Sequence, residues 1–421
     1  MAALVQNVST QAVPVSPVVE QNVLASVYRV TQAAKNEFQT NAGFFTVYEV
    51  GAKALNEAVD RFFDALSLKF LDPRYIAEVG TTVTNRGLDV VRTPLGAAWS
   101  EIRGTVDVVG YVNQARTTLQ IPDLGEIPLQ AALERARAAG DFPAVWLIEG
   151  LGEVYTERAV SLSKPIRDLW SGAEIPASSL AMLHAGSGIT FAKRALGTIT
   201  PYSKSSEIGR ALEGFLEQAK ATAQPGYLGP IIESLGLVTR TWFQEMVKPV
   251  MRSLKQIDAV ATEYFWHGAG RAMYFSPVNK VPGFSPWRSV EIEAPDEKCR
   301  QNARAGVAWA YTLVNLRDPS LMADCLVDFY RERARGPGFL NGVLSSLIMA
   351  SEVVPEDRFV KAFCEYRPPR CNRSRAEAWE RYFGNGLKDK VERYRLALIG
   401  NGRLGEIFRQ QSLAELVRDR L

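Results

Sequence analysis

Cysteine and histidine are both scarce in this 421-residue sequence, with four Cys and two His. The only close cysteine pair, Cys364 and Cys371, has six residues between its members and no histidine after it to complete a zinc spacing, so a metal pair is one of the lesser alternatives. Two free buried thiols are the expected state. The consecutive prolines at 368 and 369 place this segment in a loop, which leaves a local disulfide as the other alternative. Also missing are His-Glu-x-x-His, Gly-x-Ser-x-Gly, the Gly-Lys-Ser/Thr phosphate loop, a kinase signature and Asp-rich magnesium motifs. No reaction, cofactor or metal is therefore read from a motif, and whether the chain is an enzyme stays open.

An excess of charge is lacking too. The 49 basic and 46 acidic residues leave a formal charge of +3, so no global field draws the chain to nucleic acid, and no such partner is expected. The end is more basic: Glu365 to Leu421 holds 13 Lys and Arg against 8 Asp and Glu. Long hydrophobic runs are absent. The longest, Phe339 to Val354, is broken by Asn341, Ser345, Ser346 and Glu352 and falls short of the roughly 20 residues a bilayer span needs, so it reads as a buried core helix. No basic residue precedes Arg29 and no compact apolar stretch leads to a small-residue cleavage site, so a secretory signal is not expected and the cytoplasm is the expected location.

What is present is helical periodicity. Residues 1–20, rich in Val, Ser, Gln and Pro without period, read as a disordered leader. Residues 21–120 read as an N-terminal amphipathic helical region, with Val27, Val30, Leu55, Val59, Phe62, Phe63 and Leu66 at three- and four-residue intervals. Within it, residues 75–119 mix Val and Thr with five glycines, a composition found both in ordinary packed helices and on lipid surfaces; a single Trp and no Lys favour packing. Ile121–Pro128 is the best linker. Residues 128–365 read as a glycine-motif helical repeat domain and 366–421 as basic C-terminal helices. No run alternates apolar and polar residues long enough to demand a sheet, so the expectation is an all-α fold of helical hairpins packed as irregular repeats.

The repeats are carried by glycine. Trp146-Leu-Ile-Glu149-Gly150-Leu-Gly152 is echoed by Met182-Leu-His184-Ala-Gly186-Ser-Gly188 and by Tyr264-Phe-Trp-His267-Gly268-Ala-Gly270-Arg271. Weaker copies begin at Ala305 and Gly336. Glycines 152 and 188 are 36 residues apart, as are 270 and 306, a spacing that suits one helical hairpin per repeat. Gly-x-Gly before an apolar helix either frees backbone N–H groups for an anion or lets two helices approach closely. With no preceding strand and no full Gly-x-Gly-x-x-Gly, close packing is favoured.

Both histidines lie just before such pairs. Glu149 holds the place of His267 in the first copy, whereas His184 is offset by one residue. Repeat-related positions converging on one cavity would make His267, Arg271, Glu149 and His184 the candidate catalytic groups; the competing reading is a buried histidine bonded to backbone. His267 and Arg271 are four residues apart and so share a helix face, one able to exchange a proton and the other carrying forked donors for a carboxylate or polarised oxygen. Trp266, Tyr274, Phe275, Trp287 and Trp309, with Phe284, are the candidate lining for an apolar molecule, although core packing accounts for them equally well.

The segments Phe142–Gly152, Leu183–Phe191, His267–Phe275 and Gly336–Ala350 resemble a bacterial family of unknown function associated with enediyne polyketide biosynthesis, over roughly residues 130–365. The resemblance implies an accessory protein or enzyme of specialised-metabolite biosynthesis and supplies no reaction. Residues 75–119 and those after 365 lie outside it. The expected partner is an apolar small molecule or lipid-like chain held between helices. The rival reading is a non-enzymatic lipid-surface or scaffold protein that makes peripheral membrane contact through residues 23–119.

Overall fold

The computed structural model describes residues 94–417, apart from 123–126, 168, 173, 277–278, 280–284, 332–335, 370 and 385. The leader, the amphipathic region before Pro94, and Phe284 fall outside the described residues. Among the described residues every regular element is helical and there is no strand, so the fold is all-α. None of these helices is long and apolar enough to cross a membrane. Residues 101–421 form one compact unit.

The helices are α1 (Pro94–Asn113), α2 (Ala115–Thr118), α3 (Leu129–Ala138), α4 (Asp141–Ser161), α5 (Ala177–Leu196), α6 (Ser205–Thr222), α7 (Leu228–Trp242), α8 (Val247–Ile257), α9 (Ala259–Phe275), α10 (Pro286–Glu293), α11 (Glu297–Val314), α12 (Pro319–Arg331), α13 (Gly336–Val353), α14 (Arg358–Glu365), α15 (Arg373–Tyr382), α16 (Leu387–Gly400) and α17 (Leu413–Leu416). Local chemistry sets several starts. Asp258 opens α9 by accepting from the Val260 and Ala261 N–H groups, and Asp296 opens α11 by accepting from Cys299. Ser285 caps α10, whose first residue is Pro286, where a missing N–H costs nothing.

Six long helices make the core. α4 packs on α5, α5 on α7, α7 on α9, α9 on α11 and α11 on α13, and α13 also meets α4 and α5, so the six surround a common interior. Several are buried on nearly every side: Met182 to Ala192 of α5 and Ala261 to Tyr274 of α9 are buried without a break. Such helices lack a wet face and hence a strong amphipathic signal.

At four of the five junctions a small residue of each helix lies on the backbone of the other. A β-carbon placed on Gly152 would meet the Leu183 carbonyl of α5, and one on Gly186 would meet the Glu149 carbonyl of α4. Gly236 and Gly268 stand in the same relation to the carbonyls of Phe265 and Glu233, and Gly270 and Gly306 to those of Ala303 and His267. Between α5 and α7 a serine takes one place: Gly188 lies on the Ile231 carbonyl, while Ser234 Oγ donates to the Ala185 carbonyl at 2.8 Å. Gly342 of α13 lies on the Ala305 carbonyl of α11. Close helix packing is thus what the glycine pairs do.

The flanking segments are fastened to this unit. Gly150 lies against the Val112 carbonyl and Ala115, and Gly104 against Val314, so the described end of the Val/Thr/Gly-rich segment is packed helix. At the proline-flanked linker Ile121 is buried, the Tyr155 hydroxyl donates to the Ile127 carbonyl, and Arg158 donates to the Pro122 carbonyl. The basic C-terminal stretch packs too: α16 lies on α13, and a 3₁₀ turn, Leu404–Phe408, lies on α7. Cys364 is buried, Cys371 is exposed, and both are free thiols, so the expectation of two buried thiols holds for one of them.

Candidate functional site

In the interior, three helices bring four ionisable side chains together. Glu149 of α4, Glu233 of α7, and His267 and Arg271 of α9 are all at most 1% exposed. Arg271 forks between the carboxyl groups: Nη1 donates to Glu233 Oε2 at 2.9 Å, and Nη2 donates to Glu149 Oε1 at 3.0 Å and Oε2 at 3.3 Å. His267 Nδ1 lies 3.0 Å from Glu233 Oε1. A carboxylate oxygen only accepts, so the Nδ1 of His267 carries the hydrogen and Nε2 presents a lone pair whenever the ring is neutral. The Arg271 guanidinium lies 4.4 Å over the Trp309 ring of α11, and the His267 ring centroid is 6.3 Å from that ring. Phe408 covers both, 5.9 Å from Trp309 and 6.4 Å from His267.

The seams explain why these residues meet. In α4, α7 and α9 the residue three places before the second small residue is Glu149, Glu233 and His267 in turn, and its carbonyl rests on Gly186, Gly268 and Gly306 of the next helix. One contact register therefore fixes the backbone and sends the three side chains to one place. Arg271 and Trp309 share a second register, one residue after Gly270 and Ala308.

Burial controls the protonation of the group. It pushes the Glu149 carboxyl up from its ordinary value, against the pull of Arg271. It also pushes His267 down, against the opposing pull of Glu233, so a neutral imidazole is favoured. For Arg271, burial acts to lower its value, but Glu149 and Glu233 together more than offset this and the guanidinium stays charged.

Three nitrogens of this cluster have no hydrogen-bond partner among the described residues: His267 Nε2, Arg271 Nε and Trp309 Nε1. Buried polar atoms are nearly always paired, and among the described residues the other unpaired ones, such as Trp266 Nε1 and Trp379 Nε1, lie outside this cluster.

His184 is elsewhere and fully engaged. Its Nδ1 donates to the Leu180 carbonyl at 2.6 Å, its Nε2 accepts from the Gln224 N–H at 3.0 Å, and its ring stacks on Tyr227 with centroids 5.4 Å apart. Burial lowers it to about 4, so it is a neutral ring joining α5 to the end of α6. Neither nitrogen is free for chemistry.

The candidate aromatics divide. Trp309 joins the charged cluster and meets Trp146 edge-on at 6.3 Å, and Trp146 in turn meets Phe275 at 6.4 Å. Tyr274 is fully buried and its hydroxyl accepts from Asn315 at 3.1 Å. Trp266 packs edge-on against Phe265, and Trp287 packs against Phe339. Sequence reasoning missed Glu233, Trp146 and Phe408. A surface recess of about 270 Å³ on α4 and α5, lined by Glu157, Val160, Ser161, Thr190, Lys193 and Arg194, contains none of the cluster residues.

No protein-family model, no curated protein and no solved structure matches this chain.

Proposed function

We propose that this protein holds an apolar small molecule among its central helices and moves a proton on it with His267, acting in the cytoplasm as an enzyme or accessory protein of specialised-metabolite biosynthesis. The observation that carries the reading is the state of His267: Nδ1 is held by Glu233, and Nε2 is buried without a partner. An imidazole fixed through one nitrogen by a carboxylate presents the other as a base, which is the orienting logic of catalytic carboxylate–histidine pairs. Glu233 acts through His267 and is a positioning residue. The surrounding Trp146, Phe275 and Trp309 supply the apolar contact area. The biosynthetic setting rests on the resemblance of the glycine segments.

Native mass spectrometry of the protein purified from its own host tests the reading. A co-purifying apolar molecule, lost from His267→Gln, is the expected result. A chain that carries none, in a host whose metabolite profile is unchanged by His267→Gln, would return the cluster to a purely structural role. The amphipathic spacing of residues 23–70 supports the second reading, contact with a lipid surface. Flotation of the full chain with liposomes tests it, and a chain left at the bottom of the gradient would discard it.

A further inference from the structure

The unpartnered atoms restrict what the site accepts. Both terminal nitrogens of Arg271 already donate to carboxyl groups of the protein itself, so its fork is aimed at Glu149 and Glu233. One guanidinium already faces two carboxyl groups at a place with no solvent exposure. An anionic ligand would add a further negative charge there, and a buried charge without a partner is strongly unfavourable. The cluster nitrogens with no partner at all are one acceptor and two donors: His267 Nε2, with its lone pair, and Arg271 Nε and Trp309 Nε1, each with an N–H.

Resting on the interior-site reading above, we infer that the ligand is a neutral apolar molecule bearing a carbonyl, and that His267 removes a proton from the carbon beside that carbonyl. The balance needs no co-reactant. His267 Nε2 takes the proton, the C–H electron pair becomes the carbon–carbon double bond of an enolate, and the carbonyl π pair moves onto oxygen. Arg271 Nε–H and Trp309 Nε1–H are the donors for that oxygen, and fixed donors in a water-poor site favour the developing charge. The imidazolium beside Glu233 then returns the proton to carbon, at the same or a conjugated position, so the net change is exchange or isomerisation.

The experiment compares 2-hexadecanone with hexadecanoate, matched in chain length and different in charge. Binding to the full chain is read from tryptophan fluorescence, and exchange of the ketone's α-hydrogens is read by mass spectrometry in deuterium oxide. The expected result is at least tenfold tighter binding of the ketone, and α-exchange at least tenfold faster with the wild-type chain than with His267→Gln. Hexadecanoate binding as well as the ketone would overturn the neutral-ligand assignment while leaving the interior site standing. Ketone binding with equal exchange by both chains would overturn the proton abstraction alone. Failure of both probes to bind would remove the interior site and this inference with it. The binding comparison uses only the wild-type chain, so it decides the ligand class whether or not His267→Gln folds.

Discussion

Glu149 and Glu233 stand on different core helices and share one guanidinium, Arg271 giving Nη2 to the first and Nη1 to the second. The sharing is unequal. Glu233 accepts at both oxygens from separate groups, His267 and Arg271, whereas Glu149 spreads both oxygens over a single nitrogen of Arg271. With His267 neutral, the cluster is electrically balanced only if one carboxyl keeps its proton, and Glu149 has the weaker support.

Glu149→Gln is therefore expected to cost under about 1 kcal/mol at pH 7, because a neutral amide oxygen still accepts from Arg271. Glu233→Gln strips the charge between two donors and is expected to cost about 3–5 kcal/mol. A carboxyl whose folded value is raised contributes stability that is complete below its unfolded value and is lost as pH rises through the folded one. The Glu149→Gln variant should therefore gain on wild type as pH rises above the ordinary carboxyl range. Urea titrations at rising pH measure both effects, and equal losses for the two variants would show that both carboxyls are ionised.

Arg271→Lys keeps the charge and loses the fork. A single ammonium cannot reproduce two parallel pairs to separate carboxyl groups while lying over an indole ring, so a loss of about 3 kcal/mol or more is expected in thermal or urea unfolding. A shift within about 1 kcal/mol, by those same measurements, would mean that the charge alone is what the interior needs.

The glycine seams make a paired prediction. Gly236→Ala and Gly268→Ala each drive a methyl into the facing carbonyl of Phe265 or Glu233, and each should destabilise by about 1–3 kcal/mol through overpacking. Gly214, inside α6 with nothing within 4 Å of an added β-carbon, is the control, and Gly214→Ala should stabilise by about 0.5–1 kcal/mol. Melting temperatures that move in the same direction for all three would contradict the close-contact assignment.

His184 predicts an acid-sensitive joint. Its folded value of about 4 lies below the unfolded value of 6.5, so the unfolded chain binds more protons between those limits and stability falls as pH drops through that window. The contribution is on the order of 3 kcal/mol. His184→Gln should flatten the slope of unfolding free energy between about pH 7 and about pH 4 relative to wild type; parallel slopes would show that the ring titrates normally.

The all-helical fold was legible because apolar positions recur at three- and four-residue intervals while turns carry Pro and Gly. The core helices α5 and α9 were harder to bound, since burial on every side erases amphipathic contrast, and their glycines gave the better signal. His267, Arg271 and Glu149 were found through the Gly-x-Gly register. Glu233 escaped because its copy reads Ser234-Leu-Gly236, and a search for glycine pairs passes over a serine that makes the same helix contact through its hydroxyl. His184 was drawn in by proximity to a glycine pair, yet one residue of offset turns a helical side chain by about 100°, enough to send it to the α6 terminus instead of the cluster. Phe408 carries no local mark of its role, because only the tertiary fold brings the Leu404–Phe408 turn to the interior.

That turn has a consequence for how the protein is made. Ribosomes add roughly 5–20 residues per second, so Arg271 and both its carboxylates leave the exit tunnel on the order of ten seconds before Phe408 is even synthesised. During that interval the ionic cluster lacks the ring that covers His267 and Trp309. The cover over His267 and Trp309 is thus completed by a segment made late in synthesis.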